Sequence, residues 1–244
     1  MTQRPLVKPM KLTPERIERF WNYVSFTPEE YFTCRFGHIM LRHFRPWLKN
    51  QNQILDYGCG AGFLIGHLLN FFNKGVTKVY GADISDNALT RVNNEYAHDN
   101  NFMGAFPPER LMRDQKTFDT LLLVETIEHL DDKALASVSE HIQQLLEPNA
   151  FLIVTTPNNE NLEASQVYCP SCNRTFHRWQ HVRSWTSESL ILFLQDQGFS
   201  PEVVIETDFS FDFTSVRARL KRSVKSVFGK MPAPPHLMAV ARKI

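Results

Sequence analysis

From Gln53 onward the chain alternates short apolar runs with segments whose apolar residues recur every three or four positions. Ile54-Leu55-Asp56, Val79 to Asp83, Phe118 to Val124 and Phe151 to Thr155 are strand-length runs, too uniformly apolar for a half-exposed strand. Phe63 to Phe72, Asp86 to Tyr96 and Asp132 to Leu146 carry helical periodicity, the second capped by Ser85 or Asp86. Ser187 to Gln197 predicts a further helix that ends at Gly198, and Val203 to Thr207 and His236 to Ala241 predict two closing strands. Strands alternating with helices predict an α/β fold, a mostly parallel sheet covered on both faces. Ahead of the first strand, Thr13-Pro14-Glu15 and Thr27-Pro28-Glu29 each read as a cap followed by proline in the first turn. With a helix over His38 to Leu48 they predict an N-terminal helical lid, residues 1–50, before a main domain over 51–244.

Two segments break the alternation. Residues 158–185 form a polar, aromatic, cysteine-bearing insert after the strand that ends at Thr155. Residues 214–230 form a basic helix whose charges are Arg217, Arg219, Lys221, Arg222, Lys225 and Lys230, with no acid among them. Its commonest reading is a solvated face; peripheral contact with a membrane surface, nucleic-acid phosphates or an anionic glycan are the alternatives. The whole chain changes that picture little. Its 27 Lys and Arg against 26 Asp and Glu leave a net charge of +1, so no overall field draws it to nucleic acid or membrane. A 43% hydrophobic content over 244 residues is ample for one core. No apolar run is long enough to span a bilayer, and Met1 to Lys11 lacks the apolar centre of a signal peptide. A cytoplasmic protein is expected.

The chemistry begins at "ILDYGCGAGFL". Gly58, Gly60 and Gly62 fall where the first strand should hand over to a helix, the place at which open parallel sheets bind ligands. Glycine permits positive φ, and its missing Cβ lets a ligand reach the backbone. A dinucleotide fingerprint would require a glycine where Phe63 stands, so a pyrophosphate cradle fits poorly. A carboxylate and an amine fit better: Asp56 can face an ammonium while loop N–H groups face a carboxylate. Asp83 ends the second strand, where an acid can accept both hydroxyls of a ribose. Ribose plus an amino-acid end describes S-adenosylmethionine.

"ILDYGCGAGFL", "VYGADIS", "FDTLLLVETIEHL" and "FLIVTTPN" resemble, in order and spacing, the successive motifs of Rossmann-like, S-adenosylmethionine-dependent methyltransferases, over about Ile54 to Phe199. The resemblance implies a seven-stranded sheet with an antiparallel final strand. It implies a cofactor site of Asp56, Gly58, Cys59, Gly60, Gly62, Asp83, Ile84 and Glu125, with Met103 and Gly104, or Arg113 and Asp114, near the adenine. "VETIEHL" resembles both the coenzyme Q biosynthesis O-methyltransferases and the small-RNA 3′-terminal 2′-O-methyltransferases. In the latter pattern Glu125, Glu128, His129 and a later histidine, matched by His181, hold Mg²⁺ or Mn²⁺. In the former, Glu125 abuts the cofactor and His129 lines the acceptor pocket. If a helix starts near Glu125, Glu125, Glu128 and His129 share a face.

The insert offers a competing metal set. Cys169, Cys172, His177 and His181 read as C-x2-C-x4-H-x3-H, donors that a tetrahedral Zn²⁺ accepts. His181 belongs to both sets, so the two are alternatives. Without any metal, His129 or His177 is the candidate general base, Glu125 stands beside them as a third catalytic candidate, and Asn158 and Asn159 are candidates to orient an acceptor hydroxyl. These features predict an O-methyltransferase acting on a small molecule or saccharide. The alternatives are a metal-dependent RNA 3′-terminal 2′-O-methyltransferase and a non-catalytic cofactor-binding scaffold.

Overall fold

The structure, a computed structural model, describes residues 7–24, 26–72, 75–211 and 233–244. The basic segment, predicted as a helix over 214–230, lies outside them.

Nine strands and seven helices are described: α1 (Pro14–Val24), α2 (Phe32–Leu48), β1 (Gln53–Tyr57), α3 (Phe63–Phe71), β2 (Lys78–Ala82), α4 (Asp86–Tyr96), β3 (Phe102–Phe106), α5 (Pro108–Arg113), β4 (Phe118–Val124), α6 (Asp132–Leu145), β5 (Leu146–Pro157), β6 (Gln166–Cys169), β7 (Arg174–His177), α7 (Ser187–Asp196), β8 (Phe199–Thr207) and β9 (His236–Lys243). Seven strands make one sheet in the order β3-β2-β1-β4-β5-β9-β8, and β6 pairs with β7 as a separate hairpin. β1 to β5 pair in parallel; β9 runs antiparallel to β5 and β8. The expected sheet and its antiparallel last strand are therefore present.

The strand runs show no polar–apolar alternation because the sheet is covered twice. Successive strand residues point to opposite faces. Leu55, Leu121 and Leu152 join one buried cluster with Leu135, Ile142 and Leu145 of α6 and Leu190 and Leu194 of α7. Their neighbours Ile54, Leu122 and Ile153 join the other, with Met40 and Phe44 of α2, Leu64, Ile65 and Leu68 of α3 and Leu89 and Val92 of α4. Fully burying each such aliphatic side chain contributes about 1.5–3 kcal/mol. A polar residue on either face would forfeit that.

Strand order reverses between β1 and β4, which opens a crevice at their carboxyl ends. The N-terminal helices close over it. Trp21 of α1 meets the His129 ring edge-on at 4.9 Å between centroids, and Tyr31 sits 5.7 Å from Phe63 at the start of α3. Ser85, whose side chain caps α4, also donates to Asn22 Oδ1 of α1 at 2.6 Å. Among the described residues no helix is long and apolar enough to cross a membrane.

Candidate functional site

The glycine turn is strained in the way only glycine tolerates. Gly58, Gly60 and Gly62 have φ of +81°, +50° and +79°. A Cβ would stand 2.7 Å from Thr126 Oγ1 at Gly58 and 2.7 Å from Val92 Cγ2 at Gly62. At Gly60 it would stand 2.9 Å from the Tyr31 ring of the lid. Gly60 N–H donates to Asp83 Oδ2 at 2.8 Å and Ser85 N–H to Asp83 Oδ1 at 2.9 Å, which ties the turn to the end of β2. Gly58 and Cys59 N–H groups both donate to Ala82 O. Sulfur-bearing Cys59 is buried beneath the turn, whereas Ile84, an apolar residue just past Asp83, is 69% exposed.

Asp56 is the unusual member. It is 2% exposed, and its Oδ2 has no hydrogen-bond partner among the described residues. Burial, helped by the nearby Asp83 charge, pushes its carboxyl up to about 8. Burial also raises Asp83, opposed by the N–H groups of Ser85 and Gly60. Two acids short of a cation, beneath a bare backbone turn, are chemically suited to an ammonium and a diol. Asp83 N–H donates to Phe106 O, so Phe106 flanks the end of β2; Met103 and Gly104 lie earlier on β3, and Arg113 and Asp114 lie on the exposed end of α5.

After β4 the chain does not enter a helix at Glu125. Glu125 has φ of +48°, and only a short 3-10 turn, Ile127–His129, follows. That tight turn, rather than a shared helix face, sets the geometry. Glu125 N–H donates to Thr155 O at 3.0 Å, and Thr155 Oγ1 donates to Glu125 Oε1 at 2.9 Å. Burial lifts Glu125 to about 7. Glu128, 1% exposed, accepts from Thr156 Oγ1 at 3.0 Å, while its Oε1 has no hydrogen bond. Burial and the Glu125 charge raise it well above the carboxylate range. His129 is pushed down to about 3 by burial and by His181, and its Nδ1 has no hydrogen bond.

The insert folds back over this turn. Val182 N–H donates to Glu128 O at 2.8 Å, Asn159 N–H donates to Trp185 O at 2.7 Å, and Arg183 Nε donates to Leu130 O at 2.7 Å. The result gathers candidate ligand atoms of Glu128, His129 and His181 within 4.8 Å of one another. Glu160, His177 and His181 form a second such group. Three of the four residues of the expected Mg²⁺ or Mn²⁺ set thus meet, and Glu125 stands beside them. The orphaned Glu128 Oε1, with His129 Nε2 3.8 Å from it, fits a hard divalent cation with mixed oxygen and imidazole ligands.

Three expectations need correction. The zinc set does not assemble: Cys169 pairs with Arg174 at the hairpin tip, whereas His177 pairs with Gln166 at its base, three residues or roughly 10 Å away. Sequence proximity across a hairpin turn is not spatial proximity. His177 is also a poor general base. Its Nδ1 accepts N–H groups from Trp179 (3.3 Å) and His181 (3.1 Å), and its Nε2 faces Glu160 Oε1 at 3.2 Å. Asn158 is likewise committed, its side chain donating to Pro234 O at 2.9 Å. Glu160, missed in the sequence, is the link between His177 and His181; only the fold brings it there.

Comparison with known proteins agrees with the geometry. The family model described as a methyltransferase domain matches residues 29–203. A small RNA 2′-O-methyltransferase of Arabidopsis thaliana is 26% identical over 166 residues, 61% of this chain, which spans only 17% of that protein's length. The 1,6-didemethyltoxoflavin-N1-methyltransferase of Burkholderia thailandensis, solved with bound 1,6-didemethyltoxoflavin and S-adenosylhomocysteine, superposes with a TM-score of 0.63 at 15% identity, over 98% of this chain and 93% of that one. The cyclase SpnF superposes with a TM-score of 0.64 at 13% identity, over 98% and 97%, so the fold by itself does not fix the reaction. The family match is firmer: this chain belongs to the methyltransferase-domain family.

Proposed function

We propose that the chain methylates a ribose 2′-hydroxyl at the 3′ end of RNA, using a divalent metal held by Glu128, His129 and His181. The observation that carries this is the meeting of buried Glu128 with half-buried His129 and His181 just after β4. The similarity to a small RNA 2′-O-methyltransferase supports the acceptor. In this reading Asp56 faces the ammonium of S-adenosylmethionine, the Gly58–Gly62 turn holds its carboxylate, and Asp83 holds its ribose. Ile84 covers the adenine, and Cys59 packs the turn from below.

Methyl transfer is a displacement at carbon: the new C–O bond forms as the C–S bond breaks, and the hydroxyl proton must leave. The donor is already activated, so alignment and exclusion of water are the protein's main tasks. Trp21 and Tyr31 of the lid close the crevice above the turn. Mg²⁺ or Mn²⁺, when bound, would acidify and orient the acceptor hydroxyl. Glu125, lifted to about 7, is matched to hold the departing proton near neutral pH.

A small-molecule or saccharide hydroxyl is the second reading, favoured by the near balance of 27 basic and 26 acidic residues. The test offers labelled S-adenosylmethionine and a short RNA with either a terminal 2′,3′-diol or a terminal 2′-deoxyribose. Transfer to the diol alone, abolished by EDTA and restored by Mn²⁺, is expected. EDTA-insensitive transfer to a metabolite fraction would establish the second reading, and transfer to nothing would indicate a scaffold.

A further inference from the structure

The metal reading leaves Glu160 and His177 without a task, although both are drawn into the same pocket. Glu160 lies in the loop after β5, and His177 ends β7 and is 3% exposed. Glu160 Oε2 lies 2.5 Å from His181 Nδ1 and its Oε1 lies 3.2 Å from His177 Nε2. The two imidazoles stack at 4.5 Å with 20° between their planes.

Proton positions follow from these partners. A carboxylate can only accept, so His181 Nδ1 must carry a proton. In the neutral ring the lone pair is then on Nε2. His177 is fixed by the opposite logic. Two backbone N–H groups point at its Nδ1, which must therefore be the bare nitrogen, and the proton sits on Nε2 facing Glu160. Glu160 thus accepts from His181 at one oxygen, while His177 Nε2 lies 3.2 Å from the other without the alignment of a hydrogen bond.

We propose that Glu160 is a positioning residue: it accepts the Nδ1 proton of His181, with His177 steadying its other oxygen, and so presents His181 Nε2 as the free ligand nitrogen to the Glu128–His129 group. A carboxylate behind a ligating histidine fixes the tautomer and ring orientation and raises the basicity of the ligand nitrogen. Its purpose rests on the metal reading above; the tautomer itself does not.

The experiment has two independent readouts. Long-range ¹H–¹⁵N correlation on histidine-labelled, metal-free protein, with signals assigned by single-histidine substitution, reports which nitrogen of His181 is protonated. Wild type should show the Nδ1–H form. Glu160→Ala should move His181 toward the Nε2–H form that an imidazole side chain favours in water, and Glu160→Gln, whose amide oxygen can still accept, should largely restore it. Manganese titration should show affinity weakened about 10- to 100-fold in Glu160→Ala and less in Glu160→Gln, with S-adenosylhomocysteine affinity unchanged. An Nε2–H His181 in wild type would overturn the proposal, and so would unchanged manganese affinity in Glu160→Ala. If wild type binds no manganese, the metal reading falls, and the positioning role is judged on the tautomer shift alone. Should Glu160→Ala fail to fold, the wild-type tautomer and the Glu160→Gln titration still decide the matter.

Discussion

Asp56→Asn should make the cofactor-free protein more stable at alkaline pH while abolishing its affinity for the cofactor. Asp56 is buried and its Oδ2 unpaired, and burial carries its carboxyl from 3.8 to about 8. A raised acid binds its proton more tightly in the folded state, so its contribution is intact below pH 3.8 and is lost as pH rises to about 8. At about 1.4 kcal/mol for each tenfold change in acidity, the loss has an upper limit of ~6 kcal/mol. Asparagine has the same shape and no charge to desolvate, so the variant should keep most of that stability. Urea unfolding at pH 5, 7 and 9 measures it. Wild type should weaken across the series, and the variant should weaken much less. Saturating S-adenosylhomocysteine should then stabilise wild type, most of all at pH 9 where the ammonium meets a carboxylate, and leave the variant unmoved. Equal pH profiles for the two proteins would refute the burial argument, and undiminished cofactor affinity in Asp56→Asn would refute the ammonium contact.

Gly62→Ala places a Cβ 2.7 Å from Val92 at φ of +79°; about 1–2 kcal/mol of backbone cost and ~1–3 kcal/mol of overpacking should lower the urea midpoint clearly. Glu128→Gln should cut metal-dependent transfer by about 10- to 100-fold while calorimetry shows unchanged cofactor affinity, because the Glu128 carboxylate bonds Thr156 and not the glycine turn. Below neutral pH the buried neutral imidazole of His129, lowered to about 3, acts oppositely to Asp56: the unfolded chain takes up its proton first, so stability should also fall from pH 6.5 toward 3, by thermal melting. The double variant Cys169→Ser, Cys172→Ser should melt within about a degree of wild type and carry as little zinc by elemental analysis, since the thiols stand at the hairpin tip away from the histidines.

The main sheet was legible because burial on two faces writes itself as mostly apolar runs without alternation. Phe118 to Val124 and Asp86 to Tyr96 fall on β4 and α4 as expected, with Ser85 as the cap. β3 was not legible: it is an edge strand in which Met103 is 40% exposed and Gly104 has φ of +113°, so neither period is kept. The insert hid its hairpin for a similar reason. Most of its strand residues are solvent-accessible, and four of its residues, 170–173, are spent on the turn. The glycines and Asp83 announced themselves through spacing alone. Glu160 could not, because its role depends on how the insert closes over β5, a contact between elements that no local pattern encodes.

The position of β9 also bears on how the molecule is made. It is the last strand in chain order yet lies between β5 and β8, hydrogen-bonded to both. During synthesis the ribosome releases β1 to β5 long before the piece that covers their open flank. A nascent chain must therefore wait with the Phe151–Pro157 edge bare, exposed to pairing with other chains, until His236–Lys243 emerges. Stalled or clipped products that lack those eight residues should be captured by chaperones or aggregate, however sound the rest of the chain.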